Sequence, residues 1–494
     1  MAEKVIIAGA GLGGLSAALM LKVRGFDVLI LEQKSQAGGK AGERIQNGFR
    51  WDTGPSLITM PFVIDSLFKE SGARRKDYIT FESIDPLCRY FFPGNSNSLD
   101  GSSDREIMTA NLSAISPGDA GNWNTFLDYT QQLYRLTADL FLYSPIHEAR
   151  DLLTLKNLLR FPSLFQIDAF HTMHEAVSRY FKDPHICQIM DRYATYVGAD
   201  PWKAPATLNI ITYVEYGLPV EYIKGGIARL SEALVKRCNE LDIDIRYNSP
   251  VREILHNGKR VTGIRTDNEH FSTSVVVANS DAVTTFEKLI PEKKKTTNRL
   301  AKLEPSLSGL VFFWGVKGTF SQLAHHNIFF SKNYKEEFQH LFITRDISPD
   351  LTVYVAITSK KDKDHAPKGC ENWFVLVNMP YLSENQNWDK WIPEIREKIL
   401  EKLAEFGLDI RKKIMTESTL DPRDMKDLYG SNRGSIYGIS SNARSTAFRR
   451  PANRSRDLKG LYFCGGSSHP GGGVPLVILS GKIAAELVSR YERK

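Results

Sequence analysis

Cysteine is scarce in this chain of 494 residues, with five in all: Cys88, Cys187, Cys238, Cys370 and Cys464. They are scattered, odd in number and form no CxxC pair. That argues against a disulfide framework or a thiolate zinc site, and it fits a reducing cytosol. Uninterrupted apolar stretches approaching the roughly 20 residues of a spanning helix are missing too, so any membrane contact is expected to be peripheral. The apolar Val5–Val23 stretch lacks an export-type flank: Glu3 precedes it and its glycines are placed for a turn. No long Lys/Arg run occurs, and Lys293-Lys294-Lys295 beside Pro291 reads as a solvated loop or helix end. The net charge of +7, from 64 basic and 57 acidic residues, is a mild excess that reads as a dispersed surface rather than a nucleic-acid footprint. What remains is an ordinary globular balance, 42% hydrophobic and 24% charged. At this length two or three structural units are expected.

The first forty residues carry the strongest local pattern. Val5-Ile6-Ile7-Ala8 is a β-branched run bounded by glycine and predicts a buried parallel strand. Gly9-Ala10-Gly11-Leu12-Gly13-Gly14 matches G-x-G-x-x-G at Gly9, Gly11 and Gly14, and Leu15, Ala18, Leu19 and Lys22 continue at helical spacing. A second strand, Asp27–Leu31, ends at Glu32. In such a unit Gly9 permits the tight turn, Gly11 lets backbone approach a pyrophosphate, and Gly14 allows close helix packing. The helix start offers unpaired N–H groups to the phosphates. Glu32 is placed to accept from ribose hydroxyls and would repel a 2′-phosphate, which disfavours NADP. A further glycine pair in Gln36-Ala37-Gly38-Gly39-Lys40 and a turn over Phe49–Pro55 suit a long flavin cofactor better than a nicotinamide one. Lys40 reads as facing a phosphate, with a solvated lysine as the plain alternative.

The far end of the chain repeats the pattern. Leu461–Cys464 reads as a buried strand running into Gly465-Gly466-Ser467-Ser468-His469-Pro470-Gly471-Gly472-Gly473-Val474-Pro475, with a helix from about Leu476 to Tyr491. Between the ends, Tyr222–Leu230 opens a helix through about Asn239. Strands follow at Ile243–Tyr247, Pro250–Ile254, Val261–Thr266 and Ser274–Ala278.

Taken together, the glycine motif, Gly38-Gly39-Lys40, Trp51-Asp52-Thr53-Gly54-Pro55, Lys224-Gly225-Gly226 and His469–Leu476 make the chain resemble carotenoid desaturases of the bacterial phytoene-desaturase type, within the flavin amine-oxidase-like superfamily. The resemblance spans nearly the whole chain. It implies an α/β (α+β overall) architecture: a Rossmann-type FAD-binding domain from residues 1–85, 220–290 and 455–494, with an interleaved substrate and membrane-contact domain from 86–219 and 291–454. It further implies non-covalent FAD and an apolar polyene substrate drawn from a membrane surface, with location in the cytoplasm at the inner face of the cell membrane. Phytoene desaturases commonly read His-Pro-Gly-Ala-Gly in the C-terminal motif. Gly472 and Leu476 depart from that pattern and are more similar to desaturases of 1-hydroxylated carotenoids and to some dehydrosqualene desaturases, and the Asn327–Phe330 and Cys370–Phe374 segments also resemble the hydroxycarotenoid group. Phytoene or dehydrosqualene desaturation, carotenoid isomerisation, amine oxidation and a non-catalytic flavoprotein are the rival readings.

The candidate FAD contacts are Gly9, Gly11, Gly13, Gly14, Glu32, Gln33, Gly39, Lys40, Gly54, Pro55, Val251, Gly465, Gly473, Val474 and Pro475. Desaturation removes a hydride from one carbon and a proton from its neighbour, and the polyene eases the second loss. No catalytic residue is therefore assigned. His469 reads either as a proton acceptor or as a loop-fixing residue, and Cys464 as a small buried thiol. With no second dinucleotide fingerprint downstream, quinone or dioxygen is the expected electron acceptor. Leu152–Phe165 reads either as an amphipathic membrane-surface helix with a turn or as a core-facing helix.

Overall fold

Two sheets organise the chain in a computed structural model that describes residues 3–95, 98–148, 150 and 166–493. The first is parallel and five-stranded, in the order Asp244–Arg246, Asp27–Leu31, Lys4–Ala8, Val275–Ala278, Leu461–Phe463. Its strands are apolar without alternation because both faces are covered. Helices Leu12–Val23, Ala228–Glu240 and Val474–Glu492 pack on one face through Leu15, Leu19, Leu230 and Ile478. A three-stranded antiparallel sheet, Val251–His256, Val261–Thr266 and His270–Ser272, covers the other through Ile254, Val261 and Ile264. The first and last helices approach closely: a Cβ at Gly481 would lie 2.3 Å from the Gly13 carbonyl oxygen, and Ser16 Oγ donates to the Ile478 carbonyl at 2.8 Å. The two ends of the chain are thus fastened together.

The second sheet has seven strands, in the order Ile414–Leu420, Ser308–Lys317, Cys370–Met379, Val353–Ala356, His326–Phe329, Cys88–Phe91, Leu99–Gly101. Helix Trp388–Glu405 seals one face with Ile395, Ile399 and Leu403. Helices Trp123–Phe141, Met173–Tyr180 and Pro184–Asp191 lie across the face that carries Tyr90 and Ile328. Cross-strand register aligns Val311, Leu376, Tyr354, Ile328 and Tyr90 in one row on that face.

Two local expectations change. Phe49–Asp52 is a strand, paired with Glu43–Gln46, and the turn begins only at Thr53. The apolar positions explain it: Phe49 and Trp51 are buried and stack at 5.7 Å between ring centroids. The segment from Tyr222 does not open a helix directly. Val220–Ile223 is a strand, and the helix waits until Ala228 because Gly225 and Gly226 take φ of +80° and +85°, a left-handed backbone that glycine supplies without strain. Lys293-Lys294-Lys295 is a helix end, one of its two expected readings, at the start of Lys294–Ala301. The amphipathic stretch 152–165 lies outside the described residues.

Candidate functional site

The two glycine-rich bends meet. A Cβ at Gly13 would lie 2.9 Å from the Gly465 nitrogen and 2.8 Å from Asn279 Oδ1. Asn279, at the end of the strand between them, holds the junction: its Nδ2 donates to the Gly9 carbonyl at 3.3 Å, and it stands 2.8 Å from where a Gly11 Cβ would be. Nothing but glycine fits at these crossings. The third bend closes in as well, since Gly38 N–H donates to the Ala10 carbonyl at 2.9 Å.

Around this junction opens one cavity of about 1200 Å³, larger than the roughly 300–1,000 Å³ of ordinary ligand pockets. Every predicted contact residue except Gly14 lines it. Gly14 is turned inward, where a Cβ would strike the Gly9 carbonyl oxygen at 2.1 Å. Helices Leu12–Val23 and Val474–Glu492 both begin at the cavity with glycine N-caps, Gly11 and Gly473, and neither has a side-chain cap. Their first N–H groups therefore offer two concentrations of positive potential to an anionic ligand. This donor set fits a flavin dinucleotide, whose pyrophosphate the glycine turns would hold and whose ribose hydroxyls the strand end at Glu32 would receive. The Glu32 carboxylate is buried and accepts from Ala10 N–H at 2.7 Å and Lys34 N–H at 2.9 Å, so it also braces the turn.

Lys40 Nζ donates to the Ile436 carbonyl at 2.8 Å on the cavity wall. Desolvation lowers its pKa to about 8, with Asp281 opposing the shift. The motif Trp51–Pro55 is tied to Lys224-Gly225-Gly226 by a buried knot. Arg50 pairs with Asp52 at 2.7 Å and with Glu43 at 2.9 Å, Ile227 N–H donates to Asp52 Oδ1 at 3.0 Å, and a Cβ on Gly226 would meet the Arg50 guanidinium at 2.1 Å. Burial raises the Asp52 pKa to about 6 against the pull of Arg50.

His469 has a buried ring whose Nε2–H must donate, because its partner at 2.8 Å is the Ser144 carbonyl. Burial, with His147 beside it, lowers its pKa to about 3. This neutral, committed imidazole fixes the loop. Cys464 is a buried thiol whose pKa is raised by desolvation, and its Sγ donates to Asn279 Oδ1 at 3.5 Å.

Sequence reasoning missed several wall residues. Asn279 and Asp281 follow the Val275–Ala278 strand with no local motif to mark them. Arg450 is buried on the wall, donating to the Tyr437, Gly466 and Ile439 carbonyls at 3.2 Å each, and no local motif announces it.

The site and the fold define an FAD-dependent oxidoreductase of the amine-oxidase architecture. A solved oxidoreductase from Methanosarcina mazei superposes with a TM-score of 0.64 over 98% of this chain and 100% of its own, at 17% identity. Putrescine oxidase gives 0.64 over 99% and 100% at 12% identity. Residues 12–489 match the family described as flavin containing amine oxidoreductase, and the chain belongs to that family. Among relatives, a 4,4′-diapolycopene oxygenase from Methylomonas is 35% identical, covering 98% of each chain. A 1-hydroxycarotenoid 3,4-desaturase from Flavobacterium is 35% identical over 98% of this chain and 99% of its own. A 4,4′-diaponeurosporene oxygenase from Staphylococcus aureus is 33% identical over 100% and 99%.

Proposed function

We propose that this protein is a carotenoid-oxidising flavoenzyme that introduces a C=C bond near the end of an acyclic 1-hydroxycarotenoid. One observation carries the reading: the cavity that begins on the glycine bends continues into a chamber floored by Val311, Leu376, Ile328 and Phe374 of the seven-stranded sheet. An apolar chamber joined to a dinucleotide cradle suits a long hydrocarbon, and the curated relatives carry carotenoid names.

When bound, FAD supplies the hydride acceptor. The chain does the rest. The apolar floor excludes water and lays the polyene out straight, while the Arg50–Asp52 knot holds the Thr53–Pro55 turn against the cofactor. Fourteen of the fifteen predicted contacts line the cradle that would hold it, with Gly14 packed behind them, and quinone or dioxygen is the electron acceptor in the same proposal. Incubating the purified holoenzyme with 1-hydroxylated, C40 hydrocarbon and diapo-carotenoids tests the reading. A product short of two hydrogens with a red-shifted spectrum is expected from the hydroxylated polyene. Gain of oxygen would place the enzyme with the oxygenases, and a geometric change alone would make it an isomerase.

Lys40 gives the cradle a pH signature. In the free protein its ammonium is lost above about pH 8, whereas a pyrophosphate alongside holds the proton on. Above that pH, binding takes up one proton, so FAD affinity falls by about tenfold per pH unit. Titrations of apoprotein from pH 7 to 10 should show this slope, and Lys40→Met should flatten it.

A peripheral membrane position, on the cytoplasmic face, belongs to the same proposal. None of the described helices is long and apolar enough to cross a bilayer. Where exposed Ala443, Arg444 and Phe448 line the cavity, Phe448 is 55% exposed, and Phe170, which the Arg444 guanidinium overlies at 5.8 Å, is 69% exposed. Aromatic rings beside arginines suit the headgroup region of an anionic bilayer. Phe170→Glu with Phe448→Glu should lower the partition coefficient onto anionic liposomes by about 30-fold or more, since each ring withdrawn is worth about 1–2 kcal/mol of burial. Unchanged binding would remove these residues from the contact.

A further inference from the structure

A polar corner of the hydrocarbon chamber lies next to the cofactor cradle. In the register row Val311, Leu376, Tyr354, Ile328 and Tyr90, the residues that line the cavity are apolar except Tyr354. Its hydroxyl sits 2.7 Å from His326 Nδ1. Opposite it is Ser56, the residue immediately after Gly54-Pro55. Ser56 is 6% exposed and lines the cavity, and its Oγ approaches the Tyr354 hydroxyl without an aligned hydrogen bond to any group. Arg192 stands close enough for its charge to act on the Tyr354 hydroxyl. It is 5% exposed and lines the cavity, with its Nε unpartnered. Its other nitrogens are committed to Glu215 at 2.7 Å, Tyr90 at 2.7 Å, Tyr193 at 2.9 Å and Tyr196 at 3.2 Å.

Unpaired polar groups in an apolar chamber are costly unless a ligand satisfies them. We propose that Ser56 and Tyr354, backed by Arg192, form a subsite for a neutral oxygen, a hydroxyl or carbonyl, on the end of the polyene. This rests on the carotenoid reading and names what selects within it. Neutrality follows from the charge inventory. Arg192 is already balanced by Glu215, so a carboxylate would enter without a free cation, whereas a hydroxyl can both donate and accept. Burial keeps His326 neutral. If its Nδ1–H donates to the Tyr354 oxygen, the phenol O–H is released toward the chamber, and only a bare Nε2 lone pair is left unpaired. Position follows from the chain: Ser56 adjoins the cradle turn, so an oxygen held there brings the terminal carbons, rather than the middle of the polyene, to the cofactor.

The test uses the full-length holoenzyme, with Ser56→Ala, Tyr354→Phe and the double variant. Each is compared on a 1-hydroxylated acyclic carotenoid and on the hydrocarbon of the same length, presented in the same liposomes. For each single variant the ratio of kcat/KM, hydroxylated over hydrocarbon, should fall by about tenfold, the effect of losing one neutral hydrogen bond. The loss should fall chiefly in KM, and the double variant should show a larger one. Equilibrium titration followed by the polyene's visible band should show the same selective weakening, with FAD content and melting temperature held at wild-type values. An unchanged ratio would overturn the subsite, as would equal loss on both polyenes. Wild-type enzyme converting both polyenes equally well would sink the subsite and leave the carotenoid reading standing; conversion of neither would take down both.

Discussion

Gly14→Val should purify colourless, with FAD affinity weakened by about 10–100-fold or more. Gly14 does not line the cavity, yet it is the tightest of the glycines in the first bend. Even a methyl there would stand 2.1 Å from the Gly9 carbonyl oxygen, 3.1 Å from Asn279 Nδ2 and 3.3 Å from Asn279 Cβ. Neither neighbour can retreat cheaply. The Gly9 backbone is held at φ of +105° with its N–H bonded to the Leu31 carbonyl at 2.8 Å, and Asn279 sits against Gly11, Gly13 and Gly465 as well. Forcing extra carbon into such a contact costs about 1–3 kcal/mol or more, and here the strain is discharged into the helix start that receives the pyrophosphate. Visible absorbance per mole of protein reads the effect directly, and flavin titration of the apoprotein supplies the affinity. Gly118→Ala is the control, since its added Cβ would meet nothing within 4 Å. Tight flavin binding by Gly14→Val would mean that the first bend tolerates a shifted helix and is not the anchor.

The contrast between Gly14 and Asn279 shows where sequence reading succeeds. Glycine spacing is legible because the reason for it is local: backbone that must turn sharply or pass close to other backbone leaves a mark in a few consecutive residues. Both bends, the strands before them and the helices after them could be read on that basis. Asn279 does comparable work at their crossing, but it is one polar residue at a strand end, and its role exists only once Gly9, Gly13 and Gly465 have converged on it. Trp51–Pro55 was legible as a motif and only partly as a shape, because a short strand with every side chain buried carries no alternation. The chamber floor was hidden for another reason. Val311, Leu376, Tyr354 and Ile328 come from four strands whose order does not follow the chain, so the row depends on registers that hydrophobic pattern alone does not set. Arg450 and Arg192 likewise owe their surroundings to long-range contacts, and in the sequence they look like any other arginines.

Arg192→Met should lower stability by about 3–5 kcal/mol, the usual cost of removing one member of a buried ion pair. Glu215 is 1% exposed, and Arg192 Nη2 supplies its charge partner at 2.7 Å. The Tyr193 and Tyr196 hydroxyls also donate to that carboxylate, at 2.9 Å and 2.5 Å, but dipoles do not replace a cation in a site closed to water. Removing the guanidinium also withdraws a donor from Tyr90 and cation–π contacts with the rings of Tyr90, Tyr193 and Tyr196, at 5.2, 4.2 and 5.4 Å. The double variant Arg192→Met/Glu215→Leu separates these contributions. It buries no charge and should recover more than half of the lost stability, because an apolar pair of similar volume is often as stable as the ion pair it replaces. Recovery should stop short of wild type, since the Tyr193 and Tyr196 hydroxyls then lose their bonds to both residues, while Tyr90 keeps the Tyr216 hydroxyl at 3.1 Å. Thermal melts of the holoproteins read both steps. A double variant no more stable than Arg192→Met would locate the cost in the tyrosine cage rather than in the stranded carboxylate. The same double variant bears on selectivity: if Arg192 supports the polar corner beside Ser56 and Tyr354, a refolded enzyme with an apolar pair in its place should still take up hydrocarbon polyenes and lose its preference for the hydroxylated ones.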